Sequence, residues 1–365
     1  MAGAKNNIFK EKITDYIKLQ LKNIQDKYGV ESKQYKALEL QYIKNSLEDI
    51  PFENDRMRHY ESDMVVLFNG KPLRGVERLY ERTILLEPSS VCAAHCRWCL
   101  RGQYPLFSLK DEEIINFAKY CGSNKVKESL KEVLITGGDP FMVPKKLDLV
   151  INSLKEFAPN IKIIRIGTRV PLQDPARVND DLLEILQKVA PLKLEIATHI
   201  NHSVELTKES RKAFNNLYNL AFKIYDQTVL LKGVNNDFQT LSELYDEMRY
   251  IGIEAHYLFH CVPMRGMSHH RTSVEKGLEL ISMLTSSGVF SGRSKPMYTL
   301  MTDIGKITLY EGTILGKNEN NELLIQSKYK ADDFLRRNPS WKKPVSVTED
   351  ENRYLRVWYP DGKDI

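Results

Sequence analysis

Apolar positions fall into two alternating rhythms from residue 82 onward. Short β-branched runs recur: TILL at 83–86, EVLIT at 132–136, IKIIRI at 161–166, KLEIAT at 193–198, TVLLK at 228–232 and HYLF at 256–259. Between them lie stretches with helical spacing, DEEIINFAKYC, LDLVINSLKEFA, NDDLLEILQKV, ESRKAFNNLYNLAF and LSELYDEMRYIG. The short β-branched runs predict strands, and apolar recurrence at i, i+3 and i+4 predicts one-sided helices. Alternation at roughly 30-residue spacing predicts parallel strands, because a parallel neighbour is reached only through a crossover. Six strand–helix units predict an α/β fold, an open or partial barrel whose strand carboxyl ends carry the chemistry.

The flanks read differently. Residues 1–77 are polar and helix-friendly, with apolar Ile13, Tyr16, Ile17, Leu19 and Leu21 ahead of a charged run at Lys33 to Leu40. They predict an accessory helical region. Residues 78–295 hold the barrel, and 296–365 form a C-terminal extension with a basic, proline-punctuated stretch, KYKADDFLRRNPSWKKP, read as solvated surface with docking as the alternative.

Composition narrows the class. A chain of 365 residues with 42% hydrophobic and 28% charged residues is globular, which excludes collagen and full disorder. The net charge of +5 is too dilute to point to nucleic acid. No run approaches the ~18 apolar residues of a membrane span, and the start lacks a secretory signal, so a cytoplasmic protein is expected.

Of five cysteines, Cys92, Cys96 and Cys99 crowd into CAAHCRWC just after the first barrel strand. With no export signal, such spacing reads as metal ligation and not as a disulfide framework. Structural zinc wants four closed ligands; three soft thiolates point to an iron–sulfur cluster with one open iron, with zinc as the alternative. Other strand ends read GGDP, GTRVP, THINH, GVNN and HCVPMRG. A GG pair lets backbone approach a ligand that a Cβ would block, although ITGGDP also reads as a tight turn with Asp139 as its cap.

CxxxCxxC after the first strand of a βα series resembles the radical S-adenosylmethionine (SAM) enzymes, and the wider sequence resembles their lysine 2,3-aminomutase family. The narrower likeness rests on HCRWCLRG at 95–102, ITGGDP at 135–140, RIGTRVP at 165–171, THINH at 198–202, QTVLLKGVNN at 227–236 and the stretch from Cys261 to Thr272. It implies a partial (βα)6 TIM-like barrel of the radical SAM type, with a 4Fe-4S cluster on Cys92, Cys96 and Cys99 whose open iron binds SAM. By motif position, Gly137, Gly138 and Asp139 meet the methionine amino group, and Arg101 reaches the SAM or substrate carboxylate. Gln227 and His199 complete the SAM contacts, with Asn201 and His202 at the same strand end as His199.

The resemblance further implies cleavage of SAM to methionine and a 5′-deoxyadenosyl radical that takes hydrogen from an amino acid. An external donor of the flavodoxin or ferredoxin type and a homo-oligomer are also implied. Pyridoxal 5′-phosphate would assist 2,3-amino migration, with Arg78 and Arg82 on its phosphate and Lys306 as its resting lysine. Here a single Gly305 precedes Lys306 where the family has PGGGGK. Lysine aminomutases place aspartate directly after the cysteine equivalent to Cys261; Val262 stands there, so lysine is not the expected substrate, and Arg265 is a candidate to hold an acidic group. The alternatives are pyridoxal-independent dehydrogenation, epimerisation or C–H functionalisation of a small metabolite, and modification of a protein side chain.

Overall fold

In the computed structural model, which describes residues 10–50, 64–102, 105–292 and 294–364, the β-branched runs join one nine-stranded sheet in chain order. Its strands are β1 (Val76–Glu77), β2 (Thr83–Ser89), β3 (Glu132–Gly137), β4 (Ile163–Gly167), β5 (Lys193–Thr198), β6 (Lys223–Leu230), β7 (Glu254–His260), β8 (Met297–Thr302) and β9 (Gly305–Thr308). From β2 to β8 every neighbouring pair is parallel, and the two end pairs are antiparallel. The sheet is a partial α/β barrel.

Six helices supply the crossovers: α3 (Asp111–Cys121), α4 (Pro144–Phe157), α5 (Asp180–Gln187), α6 (Lys208–Tyr218), α7 (Phe238–Tyr250) and α8 (Val274–Ser286). Local chemistry starts them. Asn179, Thr207, Asp237 and Ser273 each accept a first-turn N–H, and Pro144 opens α4. Ile84, Leu86, Val133, Ile135, Ile164, Ile166 and Ile196 point outward to Phe117, Leu147, Ile151, Leu154, Leu186 and Phe214 of the helices in one buried cluster. Burying each such side chain is worth about 1.5–3 kcal/mol. Leu85, Leu134, Arg165, Gly167, Gln227, Tyr257 and Phe259, on the opposite face, line an internal cavity.

Three expectations are redrawn. β6 begins at Lys223, ahead of the TVLLK run, because Tyr225, Asp226 and Gln227 are buried although two of them are polar. The barrel sheet continues past residue 295, since β8 and β9 hydrogen-bond onto it. The remaining C-terminal strands, β10 (Ile314–Lys317), β11 (Glu322–Lys330), β12 (Val347–Glu349) and β13 (Tyr354–Pro360), make a separate antiparallel sheet. That sheet is anchored to the barrel: Tyr359 Oη meets His260 Nδ1 at 2.8 Å, and Asp361 caps Val274 N at the start of α8.

The N-terminal helices α1 (Asp15–Tyr28) and α2 (Lys33–Tyr42) are not an accessory. Ile17, Leu21, Ile24, Leu38 and Tyr42 pack with Ala94 of the cysteine loop, and Ala37 packs with Trp98. His95 N donates to Lys12 O and Arg97 N to Gln41 O, while Glu48 and Arg97 form a buried ion pair. Residues 1–9 and 51–63 of this region lie outside the described residues. Among the described residues no helix is long and apolar enough to cross a membrane.

Candidate active site

The inner sheet face, the cysteine loop and β9 enclose about 530 Å³. Cys92, Cys96, Cys99, Arg101, Gly137, Gly138, Asp139, His199, Gln227, Val262 and Lys306 all line this space. Arg78, Arg82 and Arg265 do not.

The cysteine loop leaves β2 at its carboxyl end, as parallel-strand architecture dictates for a reactive segment. All three thiols are free and half-buried, as expected for ligands facing a cavity. Burial, followed by the neighbouring sulfurs, pushes the Cys99 thiol up to about 11 and the Cys92 thiol higher. Cationic irons would relieve both penalties by stabilising the thiolates. Among the described residues no three Cys, His, Asp or Glu side chains converge tightly enough for a single metal ion. Three cysteine thiolates on one loop are the donor set that holds a four-iron cluster with one iron left open.

Gly137 has φ +104°, and a Cβ there would stand 2.7 Å from Ser89 O. A Cβ on Gly138 would stand 2.3 Å from Val91 O. The glycines thus let the end of β3 close against the chain entering the cysteine loop, a packing reason distinct from ligand approach. Asp139 holds that turn: its carboxylate accepts from Phe141 N, Thr168 Oγ1, Arg169 N and Val170 N, at 2.7–3.1 Å. Burial raises its pKa against the pull of those donors.

His199 is neutral. Burial, then the Arg169 and Lys306 charges, pushes its pKa down to about 3, and its ring lies 5.5 Å from the Trp98 ring. His199 Nδ1 and Trp98 Nε1 are buried at the cavity wall without a hydrogen-bond partner among the described residues. Orphaned polar atoms of this kind are costly unless a ligand meets them, so they fit a polar cofactor such as SAM. Asn201 and His202 brace the wall from behind: Asn201 accepts from Val229 N, and His202 caps Val204 N. Arg101 pairs with Glu77 and Glu87.

The candidate pyridoxal residues separate. Lys306, on β9, places Nζ 5.1 Å from the ring centres of both Tyr257 and Phe259. Arg78 is buried away from the cavity, donating to Tyr120 Oη and Ser129 Oγ, and Arg82 is exposed just before β2, at the opposite end of that strand from the cysteines. Both precede β2, which runs away from them toward the mouth. Sequence reasoning did not single out Arg169 and Gln173, which reach Cys96, or Gln41 and Glu205, which hold Arg169; the GTRVP motif contained the first of them.

Asp226, beside Gln227, is wholly buried, and burial lifts its carboxyl to about 7 despite donors from Thr228 and Ile200 N. Folded chain therefore holds a proton that unfolded chain releases near 3.8, so this contribution to stability is full below that value and is lost as pH rises through about 7. Asp226→Asn is expected to gain stability relative to the parent, on the order of 2–4 kcal/mol, between about pH 4 and pH 8. Denaturant titrations of both at several pH values check the slope; parallel curves would refute it.

The Radical SAM superfamily profile matches residues 86–245. A putative L-lysine 2,3-aminomutase of Aquifex aeolicus is 36% identical over 64% of this chain and 62% of its own. The L-lysine 2,3-aminomutase of Methanococcus maripaludis is 34% identical over 63% of this chain and 52% of its own. The glutamate 2,3-aminomutase of Clostridioides difficile is 34% identical over 62% and 53%. The chain thus spans about half to three-fifths of these relatives' lengths. The superfamily uses a 4Fe-4S cluster and SAM, and the cysteine loop at this barrel mouth offers three thiols to such a cluster. On sequence match and barrel together, the chain carries a radical SAM superfamily domain over residues 86–245 and resembles the lysine 2,3-aminomutases in sequence.

Proposed function

We propose that this chain takes a hydrogen atom from a free amino acid other than lysine and moves its amino group between neighbouring carbons, with pyridoxal phosphate held at Lys306. The observation that carries this reading is that Lys306 lines the cavity the three cysteines share, with Nζ beside the lining rings of Tyr257 and Phe259. When bound, cluster and SAM supply a carbon radical able to break an unactivated C–H bond, and pyridoxal phosphate supplies delocalisation for the migrating amine. Trp98, Val229, Phe259, Val262 and Met301 form an apolar wall that excludes water from that reaction. Arg101, fixed by its two glutamates, keeps a planar guanidinium at the mouth to orient a carboxylate.

The lining argues against a distal ammonium. Among the described lining residues the carboxylates are Glu77, engaged by Arg101, and Asp139, engaged by its turn. Asp303 lies outside the lining and accepts from Ser346 Oγ. A cationic side chain beside Val262 would be left unpaired at a cost of several kcal/mol. Arg101, Arg165 and Arg169 at the lining are each paired with glutamate, so those carboxylates are already engaged and not open to a distal ammonium. That one relative is named a glutamate 2,3-aminomutase supports a substrate range wider than lysine.

Reconstituted, reduced protein with SAM and deuterated amino acids is expected to pass label into 5′-deoxyadenosine from a neutral or acidic amino acid and not from lysine, whereas Val262→Asp gains transfer from lysine. Transfer from lysine alone would overturn the substrate reading. Borohydride treatment with pyridoxal phosphate is expected to fix the cofactor's mass on Lys306, and not on the Lys306→Ala chain. Label transfer without that fixation would support a second reading, pyridoxal-free radical chemistry, which the placement of Arg78 and Arg82 away from the cavity favours.

A further inference from the structure

Arg169 is a buried arginine, 7% exposed, with all of its nitrogens committed. Its Nε donates to His199 O at 2.9 Å, and Nη2 donates to Glu205 and, at 3.3 Å, to Gln41 Oε1. Nη1 is aimed at Cys96 Sγ, 2.7 Å away. The guanidinium lies 5.0 Å from the Trp98 ring and 5.4 Å from the Tyr42 ring, which pack beside it. A second donor, Gln173 Nε2, reaches the same sulfur at 3.3 Å, while Gln173 Oε1 accepts from Ala94 N in the cysteine loop. Charge and hydrogen bonds from two elements therefore converge on one of the three cluster sulfurs.

Such an arrangement does more than hold a loop. Reduction adds negative charge to the cluster, and that charge spreads onto the ligand sulfurs. N–H donors and a fixed cation at a sulfur stabilise the reduced state more than the oxidised state, which raises the potential. Glu205 balances the Arg169 charge through Nη2 but is shared with two other donors, Asn201 N and His202 N, whereas Nη1 has the sulfur as its acceptor. We propose that Arg169 and Gln173 are positioning residues that tune the potential of the cluster through Cys96, with α2 holding Arg169 in place through Gln41 and Tyr42.

The test uses the full chain, reconstituted anaerobically, with the reduced-cluster EPR signal titrated against potential. Arg169→Met removes the charge and the donor, and Gln173→Glu keeps the acceptor for Ala94 N while replacing the donor with an acceptor. Both are expected to hold a full complement of iron and to have a lower midpoint. At fixed reductant poise the reduced-to-oxidised ratio falls about tenfold for Arg169→Met, equivalent to about 59 mV for one electron. Arg169→Lys, which keeps the charge, is expected to fall between parent and Arg169→Met. Iron-replete variants with the parental midpoint would overturn the proposal. Loss of iron from both variants with unchanged circular dichroism and melting would overturn it equally, by assigning the pair to cluster assembly. If Arg169→Met alone fails to fold, the Gln173→Glu midpoint decides.

Discussion

Replacing Cys96 with alanine is expected to remove the iron–sulfur cluster and with it reductive cleavage of SAM. Three thiolates are the minimum that leaves one iron free for SAM, so losing any of them exposes a second iron and the assembly is no longer held. Iron and sulfide should fall from about four per chain to background. SAM cleavage should drop by well over about 100-fold, because even outer-shell partners of metal ligands typically cost 10–100-fold. The same holds for Cys92 and Cys99, which share the cavity. Cys121 and Cys261 are the internal controls: both are fully buried, Cys121 in the main core and Cys261 in the apolar cluster with Trp98 and Val262. Cys121→Ala should retain full iron at the cost of a small core cavity. Iron retained by Cys96→Ala after anaerobic reconstitution would contradict the assignment.

Arg97→Met is expected to destabilise the chain by about 3–5 kcal/mol, because it leaves Glu48 buried without its cation. Both side chains are essentially inaccessible, and Arg97 Nε donates to Glu48 Oε1 at 2.9 Å. Arg97 lies between Cys96 and Trp98, whereas Glu48 lies in the N-terminal region, so the pair ties the cover to the cluster loop. Chemical unfolding of the iron-free chain reads the energetic loss directly, and iron uptake by the variant should fall along with it. Glu48→Gln, which keeps an acceptor but loses the charge, should lose less than Arg97→Met. Unchanged unfolding of Arg97→Met would mean that the N-terminal helices are not tied to the site through this pair.

Much of the barrel was legible because parallel strands buried on both faces write themselves as β-branched runs, and crossover helices as one-sided apolar patterns. EVLIT and KLEIAT became β3 and β5 with little change at either end. Where polar residues are buried, that signal fails. The start of β6 was missed because the β-branched run begins only at Thr228, and the buried Asp226 ahead of it is satisfied by Ile200 N and Thr228 Oγ1. The cysteine triplet was legible because ligand spacing is local. Arg78 and Arg82 show the converse: spacing along the chain does not say which side chains of a segment reach a cavity, and Leu79, Tyr80 and Thr83 line it while the two arginines do not.

The sequence by itself determined the barrel class, the cysteine triplet and the order of the strand-end motifs, since each depends on contacts or spacings within one segment or on a repeat of segments. Only tertiary structure decided that polar α1 and α2 cover the cysteine loop, that Asp139 caps a turn, and that Arg169 and Gln173 converge on Cys96. These are pairings between residues as far apart as Gln41 and Arg169, separated by 128 positions. Such pairings are fixed by where packing brings whole elements together, and hydrophobic periodicity carries no record of them.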